Sequence, residues 1–417
     1  MFYKFIEKLN NIKKYPYYYI SPLVYSIGDA CEQISICSSK IKNKKIIVLY
    51  PFIFNKFLRY KMCNKSLFHS LQINSFENRK NISTMFINFL LNIEFFLKRI
   101  KFLFISKITK KKSEYDSFPY IGIHTLYEQN FIKQNFDGIQ PHDVSQLNLS
   151  LKKDDNIFCE KILNNEKIPC ENIVCLHVRD SGYKSDSGRK PYRNSNINNY
   201  IELIKYLINK NYFVVRMGNS SANKINFTDK NFFDYTQSHI NFDVMDLYLI
   251  SKCKFYVGTQ SGILDLAYMF NKPVLTTNMC ELFSAFPRKI NDRGLFKKII
   301  IKDTGQKVNL KEYIKMNYSN HDPEVEKEQF EYIENSSQEL YDAVVEFENL
   351  FNSNKFDLSY EQRKINQQIK DTFKKKLYPD LIKTDNHFNR MENSKIALWV
   401  KSFKGSLCEN YLNENVK

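Results

Sequence analysis

The chain has 417 residues, of which 43% are hydrophobic, and its formal net charge at pH 7 is +17. This length allows two domains with separate cores, and the apolar content excludes an intrinsically disordered protein. The positive charge favours anionic partners, namely phosphates, anionic lipid headgroups or nucleic acid, without choosing among them. The nine cysteines are odd in number and show no C-x-x-C spacing, so we predict free thiols in a reducing compartment and no zinc site.

The N-terminal region alternates strand-like and helix-like segments. Residues 18–20 and 45–50 are predicted strands, and residues 30–36 between them have helical character. Strand, glycine turn, helix and strand in this order are typical of a βαβ unit in a parallel sheet. The turn contains Gly28 and Asp29, and Asp29 is placed either to cap the helix or to act as a general base on a hydroxyl group.

Residues 85–108 form the most apolar segment, but Glu94, Lys98, Arg99 and Lys101 interrupt it. We therefore predict no transmembrane helix, and we find no signal peptide at the N-terminus. Two interpretations of the segment remain. We favour a helix packed inside the N-terminal domain over a cationic amphipathic helix on an anionic membrane surface. The expected location is cytoplasmic, with the inner face of the cytoplasmic membrane as the alternative.

The middle of the chain predicts one doubly wound α/β domain. Apolar strand-like runs lie at residues 172–178, 211–217, 232–235, 254–258, 273–276 and 296–301. Segments with helical spacing separate them, at residues 197–208, 244–251 and 263–270, and Ser195 is the expected N-cap of the first. Beyond this region the chain is expected to be helical, beginning with a capping box formed by Ser336 and Glu339.

Polar residues follow three of the predicted strands. The carboxyl ends of parallel strands meet at one edge of a sheet, and ligands of open α/β sheets bind there. An arginine there offers a phosphate two donors in a fixed fork, and a glycine-bearing turn before a helix offers backbone N–H groups. A strand-end ion pair or an ordinary turn would explain each segment alone. The candidate residues are His177, Arg179, Asp180, Arg216, Gly218, Gln260, Ser261 and Gly262.

Arg193 and Asn194 precede the first predicted helix of this domain, and we place them at the same edge of the sheet. A loop arginine at a solvated helix start is the alternative. The chain contains no Asp-x-Asp, G-x-S-x-G, H-E-x-x-H or G-x-G-x-x-G, so we expect no metal and no resident cofactor. If a diphosphate bound here is the leaving group of a reaction, arginines and helix dipoles rather than a metal would stabilise its charge.

Several of these segments resemble a family of bacterial glycosyltransferases of surface-glycan synthesis. The matching pieces are HVRDSGY, YRNSNINNY, VVRMGN, DYTQS, DVMDLYLISKCKFYVGTQSG and NKPVLTTN, followed by ENSSQELYDAVVEF and KIALWVKSFKGSLCENYL. More distantly, HVRD and the segment before GTQSG resemble the fucosyltransferase superfamily. That resemblance implies that Arg179 contacts the donor diphosphate.

Two further pieces are similar to bacterial heptosyltransferases. SIGDACEQI resembles their N-terminal turn, which implies that Asp29 is the catalytic base. GTQSGILDLAYMFNKP resembles their donor loop, although this chain has Gln260 where an aspartate is common and Asp265 where a histidine is common.

Together, these resemblances imply a GT-B fold, in which two Rossmann-like doubly wound domains face a cleft. The expected divisions are an acceptor-side domain at residues 1–168, a nucleotide-sugar-binding domain at 169–305, and a helical C-terminal region at 306–417 that packs back on both. Asp29 and Arg179 are the expected catalytic residues, and Gly28 lies on the acceptor side. The other candidates are assigned to the donor.

The expected function is metal-independent transfer of a sugar, with inversion, from a nucleoside-diphosphate sugar to a hydroxyl of a surface-glycan or lipid-linked acceptor. A sugar-nucleotide epimerase would share the architecture and need no acceptor. A basic nucleic-acid-binding protein is the alternative from another class. It would need a contiguous basic face with stacking aromatic residues, whereas the lysines here are scattered, so we expect no nucleic-acid partner.

Overall fold

The computed structural model describes residues 2–24, 26–41, 43–49, 63–73, 82–109, 122–123, 135–143, 149–182, 191–220, 222–315, 329–381 and 387–415. After helix α1 (Phe2–Asn11), strands β1 (Tyr17–Ile20) and β2 (Lys45–Val48) pair in parallel, and α2 (Ile27–Lys40) connects them. The predicted βαβ unit is therefore confirmed. This unit carries Gly28 and Asp29, two of the predicted site residues.

The remaining N-terminal elements are helices and one short pair of antiparallel strands. They are α3 (Ser66–His69), β3 (Leu71–Ile73), α4 (Ile82–Thr109), β4 (Leu149–Leu151) and α5 (Lys153–Asn165), with β3 antiparallel to β4. The interpretation of α4 as an interior helix is correct for one face only. Leu91 and Phe95 are buried, whereas Leu97 and Phe104 are 61% and 68% exposed.

The predicted central domain is built on one seven-stranded sheet in which all neighbouring strands are parallel. Its strands along the chain are β5 (Ile173–His177), β6 (Phe213–Arg216), β7 (Phe232–Asp234), β8 (Phe255–Thr259), β9 (Val274–Met279), β10 (Arg293–Phe296) and a later strand, β13 (Ser406–Leu407). Their spatial order is β13-β10-β9-β8-β5-β6-β7. The chain thus grows outward in both directions from β5, which makes the gap between β5 and β8 the topological switch point.

Three connections within this sheet contain the predicted helices, a short fourth helix precedes β10, and the described residues between β6 and β7 contain no helix. These helices are α6 (Ile201–Asn209) between β5 and β6, α7 (Asp243–Lys252) between β7 and β8, α8 (Gly262–Met269) between β8 and β9, and α9 (Leu282–Ala285) before β10. Ser195 does not cap the first of them. A short 3₁₀ turn at residues 197–200 precedes α6, and the side chain of Asn196 accepts its capping hydrogen bond from the Asn198 amide.

The run at residues 296–301, predicted as one strand, contains parts of two strands. β10 ends at Phe296 inside the parallel sheet, and β11 (Lys298–Ile301) pairs antiparallel with β12 (Phe330–Ile333). The buried Lys297 separates them, so the chain leaves the sheet at that residue. Helix α10 (Leu310–Lys315) lies between β11 and β12.

The C-terminal region is helical, and the predicted capping box of Ser336 and Glu339 opens its first helix. Its helices are α11 (Ser337–Ser353), α12 (Tyr360–Thr372), α13 (Tyr378–Leu381), α14 (His387–Ser402) and α15 (Glu409–Asn415). β13 lies between the last two and extends the central sheet at its edge. Helix α14 returns to the N-terminal part of the chain, where Ser402 Oγ accepts a hydrogen bond of 2.6 Å from the His142 amide.

Candidate functional site

The switch point is closed by hydrogen bonds between the ends of β5 and β8. The Arg179 amide donates to Thr259 Oγ1 at 2.8 Å, and His177 Nδ1 lies 3.1 Å from Ser261 Oγ. Burial lowers the pKa of His177 to about 4; Asp180 opposes this shift, whereas Arg216 and Arg179 add to it. His177 is therefore neutral at pH 7 and acts here as a hydrogen-bonding group.

Two of the predicted arginines meet at this point. The Arg179 guanidinium donates to Asn194 Oδ1. The backbone carbonyl oxygen of Arg179 accepts a hydrogen bond from the Ser195 amide at 2.9 Å. Arg193 donates to the carbonyl oxygen of Gln260 at 2.8 Å, which joins the segment before α6 to the loop after β8. The structure thus brings the two guanidinium groups to the carboxyl ends of β5 and β8, where anions bind in open sheets.

Three buried polar atoms in this group have no hydrogen-bond partner among the described residues. They are Arg193 Nε, Ser195 Oγ and Gln260 Oε1. Buried polar groups in native proteins are nearly always paired, and each unpaired one costs about 1–3 kcal/mol. The three atoms are fully buried, so a polar ligand would pair with them only if neighbouring side chains moved aside.

Sequence analysis missed two buried charged residues beside this group. Glu281 follows β9 and accepts from Gln260 Nε2 at 2.5 Å, and Lys297 follows β10 and donates from Nζ to the Asn194 carbonyl oxygen at 2.5 Å. Burial lowers the pKa of Lys297, and Arg179 adds to the shift. Each is a charged residue just beyond a strand end, so the pattern that indicates the residues after β5 indicates these two as well.

Arg216 already has a protein partner, and its assignment to the donor stays a prediction. Its side chain is 1% exposed and pairs with Asp234 Oδ2 at 3.0 Å, across the β6–β7 pair. Gly218 follows with φ +142°, and a Cβ there would lie 3.0 Å from Thr236 Cγ2. Both residues therefore have structural roles at this end of the sheet.

Asp180 also has a structural role. Its Oδ1 accepts from the Gly182 amide at 3.0 Å, and its Oδ2 accepts from the Asn223 amide at 2.7 Å. The same Asn223 accepts from Arg216 through its carbonyl oxygen at 2.5 Å. Asp180 thus fixes the loops that follow β5 and β6, and it orients no described arginine at the switch point.

The glycines of the two predicted turns touch each other. A Cβ on Gly262 would lie 2.5 Å from Ile27 Cγ2 and 2.9 Å from the Gly28 amide nitrogen. A Cβ on Gly28 would lie 2.7 Å from Asp265 Oδ2. Gly28 and Gly262 therefore allow the start of α2 to pack on the start of α8, and they leave no room for a ligand between them.

This packing brings Asp29 into a buried cluster of charges from four parts of the chain. Lys395 of α14 donates to Asp29 Oδ1 at 3.0 Å and lies 2.7 Å from Glu32 Oε2. Arg288 lies 3.3 Å from Asp265 Oδ1 and 3.6 Å from Glu32 Oε1. Two cations thus face three carboxyl groups, so full ionisation would leave one negative charge in excess.

The pKa values in this cluster reflect that excess. Burial raises the pKa of Asp265 to about 7; Arg288 opposes the shift, and Glu32 adds to it. Burial also raises the pKa of Glu32, against the effect of Lys395 and Arg288. A proton therefore resides in the cluster near neutral pH, next to the side chain of Asp29.

No model of a protein family matches the chain, and no curated protein does. Among solved structures, the chain is similar to ADP-heptose LPS heptosyltransferase II of E. coli, with a TM-score of 0.35 and 12% identity over 62% of this chain and 83% of that one. It is also similar to a glycosyl transferase family 9 protein from Veillonella parvula DSM 2008, with a TM-score of 0.35 and 7% identity over 63% of this chain and 80% of that one.

Proposed function

We propose that the chain is a metal-independent glycosyltransferase that uses a nucleoside-diphosphate sugar as donor and a hydroxyl of a glycan or lipid-linked molecule as acceptor. One observation carries this proposal. Two arginines and three unpaired buried polar atoms lie together at the topological switch point of a parallel sheet. This is the position at which such sheets bind nucleotides and other anions.

Arg179 and Arg193 are assigned to the diphosphate. A guanidinium binds two phosphate oxygens in a fixed geometry, and it stabilises the charge that grows on the leaving group as the bond to the sugar breaks. Lys297, held at the Asn194 carbonyl oxygen, supplies a third positive charge near Arg179. Ser195 and Gln260, whose buried Oγ and Oε1 are unpaired, are assigned to the sugar hydroxyls and would turn toward the donor when it binds.

Asp29 is assigned as the base that removes the acceptor proton. The acceptor oxygen attacks the anomeric carbon, the bond from that carbon to the diphosphate oxygen breaks, and the electron pair leaves with the nucleoside diphosphate. The proton of the hydroxyl passes to the Asp29 carboxylate. A single displacement of this kind inverts the anomeric centre. Lys395 is a positioning residue, because its ammonium group 3.0 Å away fixes the carboxylate.

A panel of nucleoside diphosphates and their sugars tests the donor site by thermal shift. A ligand that binds only the folded protein stabilises it by about 2.7 kcal/mol at 100 times its dissociation constant. At least one uridine, guanosine, adenosine, cytidine or thymidine diphosphate compound should therefore raise the melting temperature. A panel in which none does so at millimolar concentration would contradict the proposal.

Arg179→Ala should abolish that shift, since the variant loses the guanidinium at the diphosphate. The matched control is Arg363→Ala, because Arg363 is an exposed arginine on α12 that donates to the Leu358 carbonyl oxygen. The control should retain the full shift. Equal nucleotide-induced shifts in both variants would remove Arg179 from the site.

A further inference from the structure

Helix α4 exposes an unusually apolar face. Seven large apolar side chains on it are between 39% and 68% exposed, namely Met85, Phe86, Phe89, Ile93, Leu97, Ile100 and Phe104. No other helix among the described residues exposes as many. Soluble proteins rarely display contiguous apolar surface of this kind unless it contacts a partner or a membrane.

The seven residues form one stripe along the helix, hereafter the α4 stripe. At 100° per residue they all fall within about 120° of the helix circumference, and at 1.5 Å per residue they extend over about 29 Å. Lys101 lies about 40° beyond one margin of this arc, whereas Lys98 falls on the opposite side of the helix. The opposite side of the helix is occupied, because Ile87 and Leu91 pack with Ile6 of α1 and Tyr19 of β1.

Exposed lysines lie on α4 and on the helix packed beside it. Lys101 on α4 is exposed, and α1, which packs beside α4, exposes Lys4 and Lys8. Phe5 of α1 and Ile12, directly after the helix, are also exposed, at 53% and 49%. Two adjacent helices thus combine exposed apolar side chains with exposed lysines, the composition of helices that lie in the interface of an anionic bilayer.

None of the described helices is long and apolar enough to cross a membrane. We propose that α1 and α4 dock the protein on the surface of an anionic lipid bilayer, with the α4 stripe lying in the membrane plane among the acyl chains. The lysines of α1 and Lys101 contact the phosphates of the headgroups. The acyl chains of a bilayer can adapt to side chains of different shapes along the whole length of the stripe. The negative charge of the headgroups complements the lysines. This proposal does not depend on the donor site.

Vesicle flotation with the full-length chain tests the docking surface. The protein should float with phosphatidylcholine vesicles that contain phosphatidylglycerol, and the bound fraction should fall with added salt because headgroup attraction is screened. The double variant Leu97→Glu with Phe104→Glu should bind at least about tenfold more weakly, since it places two charges in the apolar layer. The control is Ile157→Glu, at a 53% exposed apolar position on α5, which should bind like the wild type.

A second variant keeps the apolar stripe and alters only the charge. Lys4→Glu with Lys8→Glu should lose binding to the anionic vesicles while leaving the melting temperature unchanged, since both side chains are exposed. Wild-type protein that does not float with anionic vesicles would overturn the proposal. So would equal binding by the wild type and the Leu97/Phe104 variant. Light scattering that shows a wild-type dimer converted to a monomer by that variant would instead assign the stripe to a second copy of the chain.

Discussion

At the scale of single residues, Arg179 and Arg216 show what a sequence can and cannot tell. Both come at the end of an apolar strand, so both were predicted to bind the donor. The structure gives them different partners, because the Arg179 guanidinium donates to Asn194 Oδ1 whereas Arg216 pairs with Asp234 of β7 at 3.0 Å. The sheet edge was predictable from strand periodicity, whereas the pairing partner depends on strand order, which periodicity does not encode.

Asp29→Asn tests the assignment of the base. The amide cannot accept the proton of the acceptor hydroxyl, so kcat should fall by about 100- to 10,000-fold. Donor binding should persist, because Asp29 lies outside the arginine pair. The measurement is a steady-state transfer assay, with nucleotide-induced thermal shift as the folding check.

The control for that variant is Asp137→Asn, which removes an exposed carboxylate paired with Lys374 at 2.7 Å. It should leave kcat unchanged. If Asp29→Asn turned over at the wild-type rate, the base would have to be another group. Asp265 would be the next candidate, since burial raises its pKa to about 7.

Asp265 also predicts a pH dependence of stability. Its pKa is about 7 in the folded protein and 3.8 in an unperturbed aspartate. The folded state therefore holds the proton more tightly, and the stabilisation is fully present below about pH 4 and lost as pH rises through 7. The free energy of unfolding of the wild type, minus that of Asp265→Asn, should fall over this range by about 1.4 kcal/mol per pKa unit.

Urea denaturation of both proteins at a series of pH values measures this difference. A difference that instead grew as the pH rose would mean that the ion pair with Arg288 dominates the environment of Asp265. In that case the proton would not reside on Asp265 at neutral pH, and the account of the charge cluster would need revision.

At the scale of elements, the strands buried on both faces were the most predictable. β5, β6 and β8 are continuous apolar runs, and parallel strands covered on both sides require that composition. β13 is not predictable from the sequence, because a strand of two residues is too short to show an alternation of apolar and polar side chains. Its pairing with β10 also spans more than 100 positions in sequence. The break at Lys297 is hard to predict because apolar residues flank the Lys297–Lys298 pair on both sides, as they would in one continuous strand.

The sequence does not predict the contact of α2 with α8. From the sequence alone, both glycine turns are assigned to ligands. Gly262→Ala should lower the free energy of unfolding by about 1–3 kcal/mol, because the new methyl group would meet Ile27 and the Gly28 backbone. Gln338→Ala, at an exposed position on α11, serves as control and should change stability little. Chemical denaturation gives both values. An unaffected Gly262→Ala protein would mean that the two helix starts are farther apart.

At the scale of the whole molecule, the C-terminal region connects the parts that the sequence suggested were separate. β13 extends the central sheet, while Lys395 and Ser402 of α14 contact Asp29 and the backbone of His142. The sequence predicted a helical tail that packs back on the rest of the chain, but not that it would supply a charge to Asp29. Such long-range contacts depend on the tertiary arrangement, and no local pattern in residues 387–402 indicates them.

A crystal structure of the protein with a stabilising nucleoside diphosphate would test the central claim most directly. The account predicts phosphate oxygens within hydrogen-bond distance of the guanidinium groups of Arg179 and Arg193, at the carboxyl ends of β5 and β8. It also predicts that Arg216 keeps its pair with Asp234. A diphosphate bound anywhere else on the chain would contradict the proposed donor site.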